Sequence, residues 1–234
     1  MDCLEGMKLI TDKSIDCIIC DLPYGTTSCK WDTVIPFEPL WEQYNRIIKD
    51  NGAIVLFGSE PFSTELRHSN LKMFRYDWIW NKQQTGNPFL AKVQPLKIHE
   101  TISVFSKMKS TYIPQMRQGK MRKKGGYQKD SELYGKQNEY STTNDQYYPV
   151  SILDYSNCNK KGRLHPTQKP VGLLEYLIKT YTNEGDIVLD NCMGSGTTAI
   201  AAINTNRHFI GFELNKDYYD IANKRIEEKE KEEE

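Results

Sequence analysis

The sequence predicts an α/β protein built on a mostly parallel, doubly wound sheet. Its 234 residues, of which 38% are hydrophobic, suffice for one sizeable core. Short apolar runs alternate with segments whose apolar residues recur at helical spacing, an order typical of parallel sheets covered by helices. Polar or glycine-rich turns follow two of the predicted strands, where open α/β sheets bind their ligands.

The first half of the chain is predicted to alternate strands with helices. Apolar runs predict strands at residues 14–20, 53–57, 74–80 and 98–105. Apolar residues at helical spacing predict helices at residues 36–49 and 61–70. The first helix is expected to stop at Asn51-Gly52, a helix C-terminal signal, and Pro61 is expected to open the second.

The C-terminal part repeats this alternation. Helices are predicted at residues 171–181, 197–204 and 217–229, and strands at residues 186–190 and 208–213. The charged tail that follows is expected to be a solvated end. No internal repeat interrupts the pattern, so both parts are expected to contribute to one sheet.

The composition argues against a membrane protein and against disulfides. No apolar run approaches the roughly 18–20 residues that cross a bilayer, and the first residues lack the apolar region of a signal peptide. We therefore expect a cytoplasmic protein without membrane contact, whose six cysteines are reduced. Cys17 and Cys20 have the spacing of half a zinc site, but they lie inside an apolar run without a matching pair. Burial in a strand is favoured, and no metal is predicted.

Charge is distributed unevenly, although the formal net charge is zero. Residues 107–163 contain twelve Lys or Arg against five Asp or Glu, which is +7, and the rest of the chain carries −7. This segment is rich in Tyr, Gln, Asn and Gly and poor in periodic apolar residues. A solvated surface without a binding role remains a possible interpretation of this segment, but an insert that contacts phosphates is favoured.

A glycine-rich turn follows the predicted strand that ends at Asp190. Residues 191–198 are Asn-Cys-Met-Gly-Ser-Gly-Thr-Thr, and a helix is predicted next. Glycines permit a tight turn, and free N–H groups at a helix start favour an anionic or adenosyl group. Glu213, 19 residues after Gly194, has the position of a ribose-hydroxyl acceptor. From this half of the chain alone, an ordinary turn and a dinucleotide-binding site remain possible interpretations. A P-loop is excluded, because it needs a Lys after the last Gly and none is present.

A second polar turn, Asp21-Leu22-Pro23-Tyr24, follows the first predicted strand. The lone pair of a base amino group is delocalised into its ring, which makes the nitrogen a poor nucleophile. Asp21 and the Leu22 carbonyl could each accept one N–H and localise that lone pair, with Pro23 restricting the backbone. Tyr24 could stack on a base flipped from a duplex. An ordinary turn at a strand end explains these four residues equally well.

Three motifs together resemble those of the beta-type, circularly permuted DNA amino-methyltransferases, which act on adenine N6 or cytosine N4. The first turn is similar to their DPPY motif, and residues 191–198 are similar to their cofactor motif. Residues 165–170, His-Pro-Thr-Gln-Lys-Pro, resemble the segment that precedes the cofactor motif. The resemblance spans nearly the whole chain and implies a circularly permuted, Rossmann-like methyltransferase fold with S-adenosylmethionine as cofactor.

The resemblance also implies roles for single residues. Asp21, Leu22, Pro23 and Tyr24 would be catalytic. Gly194, Ser195, Gly196 and Thr197 would bind the methionine end of the cofactor. Thr167 and Lys169 would shape the same pocket, and Asp190 is assigned to it as well. Glu213 would hold the ribose, and Asp2 would approach the cofactor's adenine amino group. Two departures are that Leu22 replaces a proline, and that the strand which the family places before Asp2 has no residues here.

The same resemblance implies one domain with an insert. Residues 1–106 would form the catalytic part, residues 107–164 an inserted target-recognition region, and residues 165–234 the cofactor-binding part. Arg122, Lys123 and Lys124 in the insert are the predicted DNA contacts. Trp78 and Trp80 are expected in the core, and His99 in a structural role.

The predicted function is methylation of adenine N6 at a short sequence in double-stranded DNA after base flipping. A cytosine-N4 or RNA methyltransferase, a catalytically impaired nucleic-acid-binding relative and, more remotely, a small-molecule oxidoreductase are the alternatives. A monomer or homodimer is expected, and a restriction nuclease is a candidate partner in a restriction-modification system.

Overall fold

Strands and helices alternate along most of the chain in the computed structural model, which describes residues 1–27, 29, 32–86, 88–126, 140–157 and 168–233. The elements, in chain order, are α1 (Cys3–Lys8), β1 (Ile15–Cys20), α2 (Phe37–Ile47), β2 (Ile48–Gly58), α3 (Phe62–Ser69), β3 (Phe74–Asn81), β4 (His99–Phe105), β5 (Arg117–Gly126), β6 (Tyr140–Tyr147), β7 (Ile152–Asp154), α4 (Val171–Tyr181), β8 (Ile187–Asp190), α5 (Thr197–Ile203), β9 (His208–Gly211) and α6 (Lys216–Glu233). No helix among these residues is long and apolar enough to cross a membrane.

Seven strands form one sheet in the order β7-β3-β4-β2-β1-β8-β9. β4 runs antiparallel to both of its neighbours, and the other pairings are parallel. The predicted fold class, a mostly parallel α/β sheet, is thereby confirmed. β1 lies between β2 and β8, so the N-terminal and C-terminal parts of the chain meet at the centre of the sheet.

The core lies on both faces of this sheet. Alternate residues of β1 point to opposite faces, so Cys20 and Ile18 pack in one apolar cluster and Cys17 and Ile19 in the other. The thiols of Cys17 and Cys20 are buried on different faces and do not converge on one ligand. Trp78 and Trp80 are buried in the second cluster, as expected from the sequence.

The boundary between α2 and β2 differs from the sequence-based prediction, which extended the helix to residue 49. The helix ends at Ile47, and the Asn51-Gly52 pair lies inside β2. There the register jumps from Ile15↔Ile48 to Cys17↔Ala53, which leaves residues 49–52 as a bulge opposite one residue. A Cβ on Gly52 would lie 2.8 Å from the Asp16 carbonyl oxygen, so glycine serves the bulge and does not end the helix.

A short helix that the sequence pattern did not predict precedes β1. α1 has six residues, and Asp2 Oδ1 accepts hydrogen bonds from the backbone N–H groups of Leu4 at 2.8 Å and Glu5 at 3.3 Å. Such a side-chain cap satisfies N–H groups that have no partner inside the helix. One turn and a half is too short to show the apolar periodicity on which helix prediction rests.

The chain divides into two compact units, residues 1–113 with 151–234 and residues 114–150. The second unit contains the antiparallel pair β5–β6, in which Gln118 Nε2 donates to Asp145 Oδ2 at 2.6 Å. The Arg122 guanidinium lies 3.7 Å from the centre of the Tyr147 ring. This unit falls within the predicted insert of residues 107–164. Residues 152–154 of that range form β7, which pairs with β3 in the main sheet.

Candidate active site

A cavity of about 1350 Å³ lies at the carboxyl ends of β1 and β8 in the larger unit. Pockets that hold one drug-sized ligand measure roughly 300–1,000 Å³, so this cavity has room for two ligand groups side by side. The turns after both strands line it because β1 and β8 are parallel neighbours. Residues that are far apart in the sequence are thereby brought to one site, as the motif order predicts.

The Asp21 carboxylate is held from two directions. Tyr24 donates from Oη to Asp21 Oδ1 at 2.6 Å, and Lys169 Nζ donates to Asp21 Oδ2 at 2.5 Å. The Asp21 side chain remains 24% exposed and lines the cavity. A carboxylate has about four acceptor positions, so two are left for a ligand.

Lys169, itself buried, belongs to a partly buried network of four charged side chains. Its Nζ lies 3.4 Å from Glu100 Oε2, and Glu100 Oε1 accepts a hydrogen bond from Lys82 Nζ at 3.0 Å. Burial alone would lower the pKa of Lys169, but the charges of Asp21 and Glu100 outweigh it and raise that pKa. Burial likewise opposes ionisation of Glu100, yet the two lysines hold its pKa below the usual value. Glu100 and Lys169 therefore form a charged pair at neutral pH.

The other members of the first turn divide between core and cavity. The Leu22 side chain is buried in the core, where it packs with the apolar cluster on the side of Cys20. The Tyr24 ring stacks on Phe62, with ring centres 5.1 Å apart and planes at 29°. Pro23 and Tyr24 both line the cavity. Phe62 thus covers one face of the tyrosine ring.

The glycine-rich turn is fixed by a buried carboxylate. Asp190 Oδ2 accepts a hydrogen bond from Thr198 Oγ1 at 2.5 Å, and Asp190 Oδ1 accepts one from the Cys192 N–H at 3.1 Å. Burial raises the pKa of Asp190 to about 6. Gly194 and Gly196 have φ values of 53° and 80°, in the left-handed region that favours glycine. The turn thus needs both a buried acid and two glycines.

Arg225 supports the same turn and was not found by sequence reasoning. Its guanidinium Nη1 donates to the Ser195 carbonyl oxygen and lies 3.3 Å from Ser195 Oγ. The available signal was an arginine beside Ala222 and Ile226 on the buried stripe of α6. Gly196 does not line the cavity, since it packs against α6, where an added Cβ would lie 3.0 Å from Ala222 Cβ.

Glu213 faces the cavity and also holds the turn. Its Oε2 accepts the Gly194 N–H and its Oε1 accepts the Asn215 N–H, both at 2.8 Å. Each oxygen keeps a further acceptor position for a ribose hydroxyl. Asp2 also lines the cavity, in addition to capping α1.

The predicted site residues fall into four groups, of which Gly196, packed against α6 outside the cavity lining, is one. Most line the cavity, namely Asp2, Asp21, Leu22, Pro23, Tyr24, Lys169, Asp190, Gly194, Ser195, Thr197 and Glu213. Thr167 lies outside the described residues. The predicted DNA contacts Arg122, Lys123 and Lys124 lie on β5 in the second unit, so they are not part of this cavity.

The profile of one protein family, described as DNA methylase, matches residues 15–224. The chain belongs to the DNA methylase family. This match contains both turns of the cavity and confirms the resemblance found in the sequence. The methylase is therefore an enzyme of the methyltransferase class.

Curated relatives match this methylase over nearly its full length. It is 29% identical over 239 residues to the type II methyltransferase M.HpaI of Haemophilus parainfluenzae, covering 96% of this chain and 72% of the relative. It is also 29% identical to the DNA adenine methyltransferase YhdJ of Escherichia coli K12, covering 97% and 81% of the two chains.

Solved structures confirm the fold. The methylase is 25% identical to M1.HpyAVI in its complex with SAM, with a TM-score of 0.64 and 96% of each chain covered. The PvuII DNA methyltransferase, described as cytosine-N4-specific, aligns with a TM-score of 0.70 at 18% identity over 96% of this chain and 84% of its own. At that identity the second likeness concerns the fold alone.

Proposed function

We propose that this methylase transfers a methyl group from S-adenosylmethionine to N6 of adenine in double-stranded DNA, after the base has flipped into the cavity. The observation that carries the proposal is the Asp21 carboxylate, which lies at a cavity shared with the glycine-rich turn. YhdJ, named as an adenine methyltransferase, supports adenine as the base.

The cavity residues fit the cofactor. Glu213 offers a carboxylate to the ribose, and the turn at Gly194 and Ser195 offers backbone groups to the methionine end. Asp2 lies at the same cavity, where its second carboxylate oxygen would accept from the adenine amino group. When bound, S-adenosylmethionine supplies an electrophilic methyl group attached to a positively charged sulfur.

The residues of the first turn would prepare the target amino group. Asp21 accepts one N–H, and the Leu22 carbonyl accepts the other, which pulls the nitrogen lone pair out of conjugation with the ring. Because Leu22 acts through its carbonyl, its buried side chain does not interfere with this role. Tyr24, which lines the cavity, would stack on the flipped base.

The second unit would contact the DNA outside the cavity. Arg122 and Lys123 lie on a two-stranded ribbon, and Lys123 is exposed. Such ribbons fit the major groove, and basic side chains on them neutralise phosphates. The ribbon therefore supports double-stranded DNA as the substrate.

Product analysis tests the proposal. The purified protein is incubated with methyl-labelled S-adenosylmethionine and unmethylated genomic DNA, and the DNA is digested to nucleosides. Label in N6-methyladenine is the expected result. Label in N4-methylcytosine would overturn the choice of base, and label only in an RNA substrate would overturn the choice of DNA. A protein that neither binds the cofactor nor transfers label would contradict the whole proposal.

A further inference from the structure

We propose that Glu100 and Lys82 are positioning residues for methyl transfer, which control how strongly Lys169 holds the Asp21 carboxylate. This inference rests on the proposed function. Neither residue belongs to the three motifs that identify the family. Lys82 follows β3 and Glu100 lies on β4, whereas Asp21 and Lys169 come from the turn after β1 and the segment before α4.

The four charges form an unbranched chain. Lys82 Nζ bonds to one oxygen of Glu100, the other oxygen of Glu100 faces Lys169 Nζ, and Lys169 Nζ bonds to Asp21. The adjacent strands β3 and β4 bring the outer pair together, since Trp80 is the register partner of Glu100. Lys82 and Glu100 are each only 15% exposed, so water screens them weakly.

The two carboxylates compete for one ammonium group. Lys169 Nζ forms a hydrogen bond with Asp21 at 2.5 Å, whereas Glu100 Oε2 lies 3.4 Å away, buried and without a hydrogen-bond partner. An unsatisfied buried acceptor is costly, so Glu100 Oε2 attracts the Lys169 ammonium. The rings of Phe57 and Trp80, 5.2 and 5.7 Å from Nζ, flank the ammonium.

This arrangement lets Lys169 change partners as substrate binds. When Asp21 turns a lone pair toward the base amino group, Lys169 can shift toward Glu100 Oε2 without leaving the network. Lys82 controls how strongly Glu100 attracts Lys169, because it already neutralises part of the Glu100 charge. Glu100 thereby weakens the hold of Lys169 on Asp21 and leaves the carboxylate a better acceptor.

Other titratable groups face this network. Tyr24 bonds to Asp21, and its pKa is raised by burial and by the charges of Asp21 and Glu100. Asp190 and Cys20 lie close enough for the charge of Asp21 to raise the pKa of both groups, in addition to the larger effect of burial. These groups stay the same when Glu100 or Lys82 is replaced, so a comparison of the two variants isolates the network.

Two neutralising variants should shift the ionisation of Asp21 in opposite directions. Glu100→Gln removes a negative neighbour, so the acid limb of kcat/KM should move to lower pH by about 0.5 to 1 unit. Lys82→Met removes a positive neighbour, so the limb should move to higher pH by about the same amount. The plateau kcat of Glu100→Gln should fall about tenfold, with the KM for DNA changed less than about twofold, because Lys169 then holds Asp21 alone.

Two further variants complete the design. Glu100→Asp retains the charge and should return the limb toward the wild-type pH. Asp77→Asn removes a carboxylate on β3 that pairs with Arg67 outside this network, and it should leave the limb in place. Limbs that coincide in Glu100→Gln and Lys82→Met, or that move in the same direction, would overturn the inference.

A second measurement keeps the inference separate from the proposed function. Carbon-13 NMR of the Asp21 carboxyl group, titrated in cofactor-free protein, should show the same opposite shifts without any methylation. Opposite NMR shifts in a protein that does not methylate DNA would sustain the network and reject the proposed function. Unshifted NMR titrations in an active methylase would reject the network alone.

Discussion

Tyr44 donates a hydrogen bond from its hydroxyl group to Asn191 Oδ1 at 2.5 Å, and both side chains are buried. The bond joins α2, in the N-terminal half, to the first residue of the glycine-rich turn. Asn191 precedes Cys192, which lines the cavity. The first half of the chain thus helps to shape the site assigned to the cofactor.

Replacing Tyr44 by Phe should weaken cofactor binding several-fold and lower the free energy of unfolding by about 1–2 kcal/mol, because the Asn191 oxygen is left buried without its donor. Calorimetric titration with S-adenosylmethionine and denaturant unfolding measure the two effects. Tyr76→Phe is a matched control, since it removes a hydroxyl that bonds to Tyr181, which does not line the cavity. Equal cofactor affinity in all three proteins would contradict the proposed coupling.

Asp21→Asn should reduce methyl transfer by about 10²–10⁴-fold, since the amide is a weaker acceptor for the base amino group. Cofactor affinity should stay within about threefold of the wild type, because Asp21 is assigned to the base and not to the cofactor. Single-turnover methylation and cofactor titration separate these effects. Asp12→Asn, which alters an exposed partner of Arg46, serves as the control. Near-normal transfer by Asp21→Asn would rule out the proposed mechanism.

Arg225→Met should raise the cofactor Kd by about tenfold because the Ser195 carbonyl loses its charged donor and the glycine-rich turn loosens. Arg207→Met removes a comparable arginine that binds the Thr182 carbonyl away from the cavity. Both variants should be less stable, but only the first should bind the cofactor weakly. A loss of cofactor affinity in proportion to stability in both would indicate a purely structural role for Arg225.

Neutralising Arg122, Lys123 and Lys124 together should weaken DNA binding and flatten its dependence on salt. Each lost phosphate contact should reduce the slope of log K against log salt concentration by about 1. Fluorescence anisotropy with a labelled duplex at several salt concentrations measures this slope. Lys224→Ala, on the exposed part of α6, supplies a control. An unchanged slope in the triple variant would exclude the ribbon as the phosphate-contacting element.

The buried Asp190 should make the stability of the protein depend on pH. Because burial raises its folded-state pKa to about 6 from 3.8, ionising it opposes folding, and its contribution declines as pH rises from about 4 to about 6. The free energy of unfolding of the wild type, minus that of Asp190→Asn, should therefore fall by about 2 kcal/mol between pH 4 and pH 7. Urea unfolding at several pH values tests this. A difference that rises with pH would show that the folded-state pKa is lowered instead.

The sheet was predictable because its central strands are apolar runs that end at polar turns. β1 and β8 could be placed within about a residue, and the turns after them marked the cavity. The helix end at Ile47 was predicted wrongly because Asn51-Gly52 serves a strand bulge as well as it would end a helix. α1 was missed because its main signal is a single capping residue, Asp2.

The contacts that complete the site could not be predicted from spacing. The Lys169–Asp21 bond joins positions 148 residues apart, and the Arg225–Ser195 bond joins two positions on different elements. Glu100 lies in a strand whose pattern predicts burial but does not identify the charges that meet there. Such pairings depend on the order of the strands in the sheet. The order of the motifs along the chain indicates which strands are neighbours, but not which side chains meet.

The position of β1 between β2 and β8 has a consequence for synthesis on the ribosome. β2 emerges soon after β1, but β8 follows about 130 residues later, which takes on the order of ten seconds at typical translation rates. Until then one apolar edge of the future central strand has no partner strand, and such edges promote association between nascent chains. A lower growth temperature or extra chaperone capacity during expression should therefore raise the soluble yield of the protein.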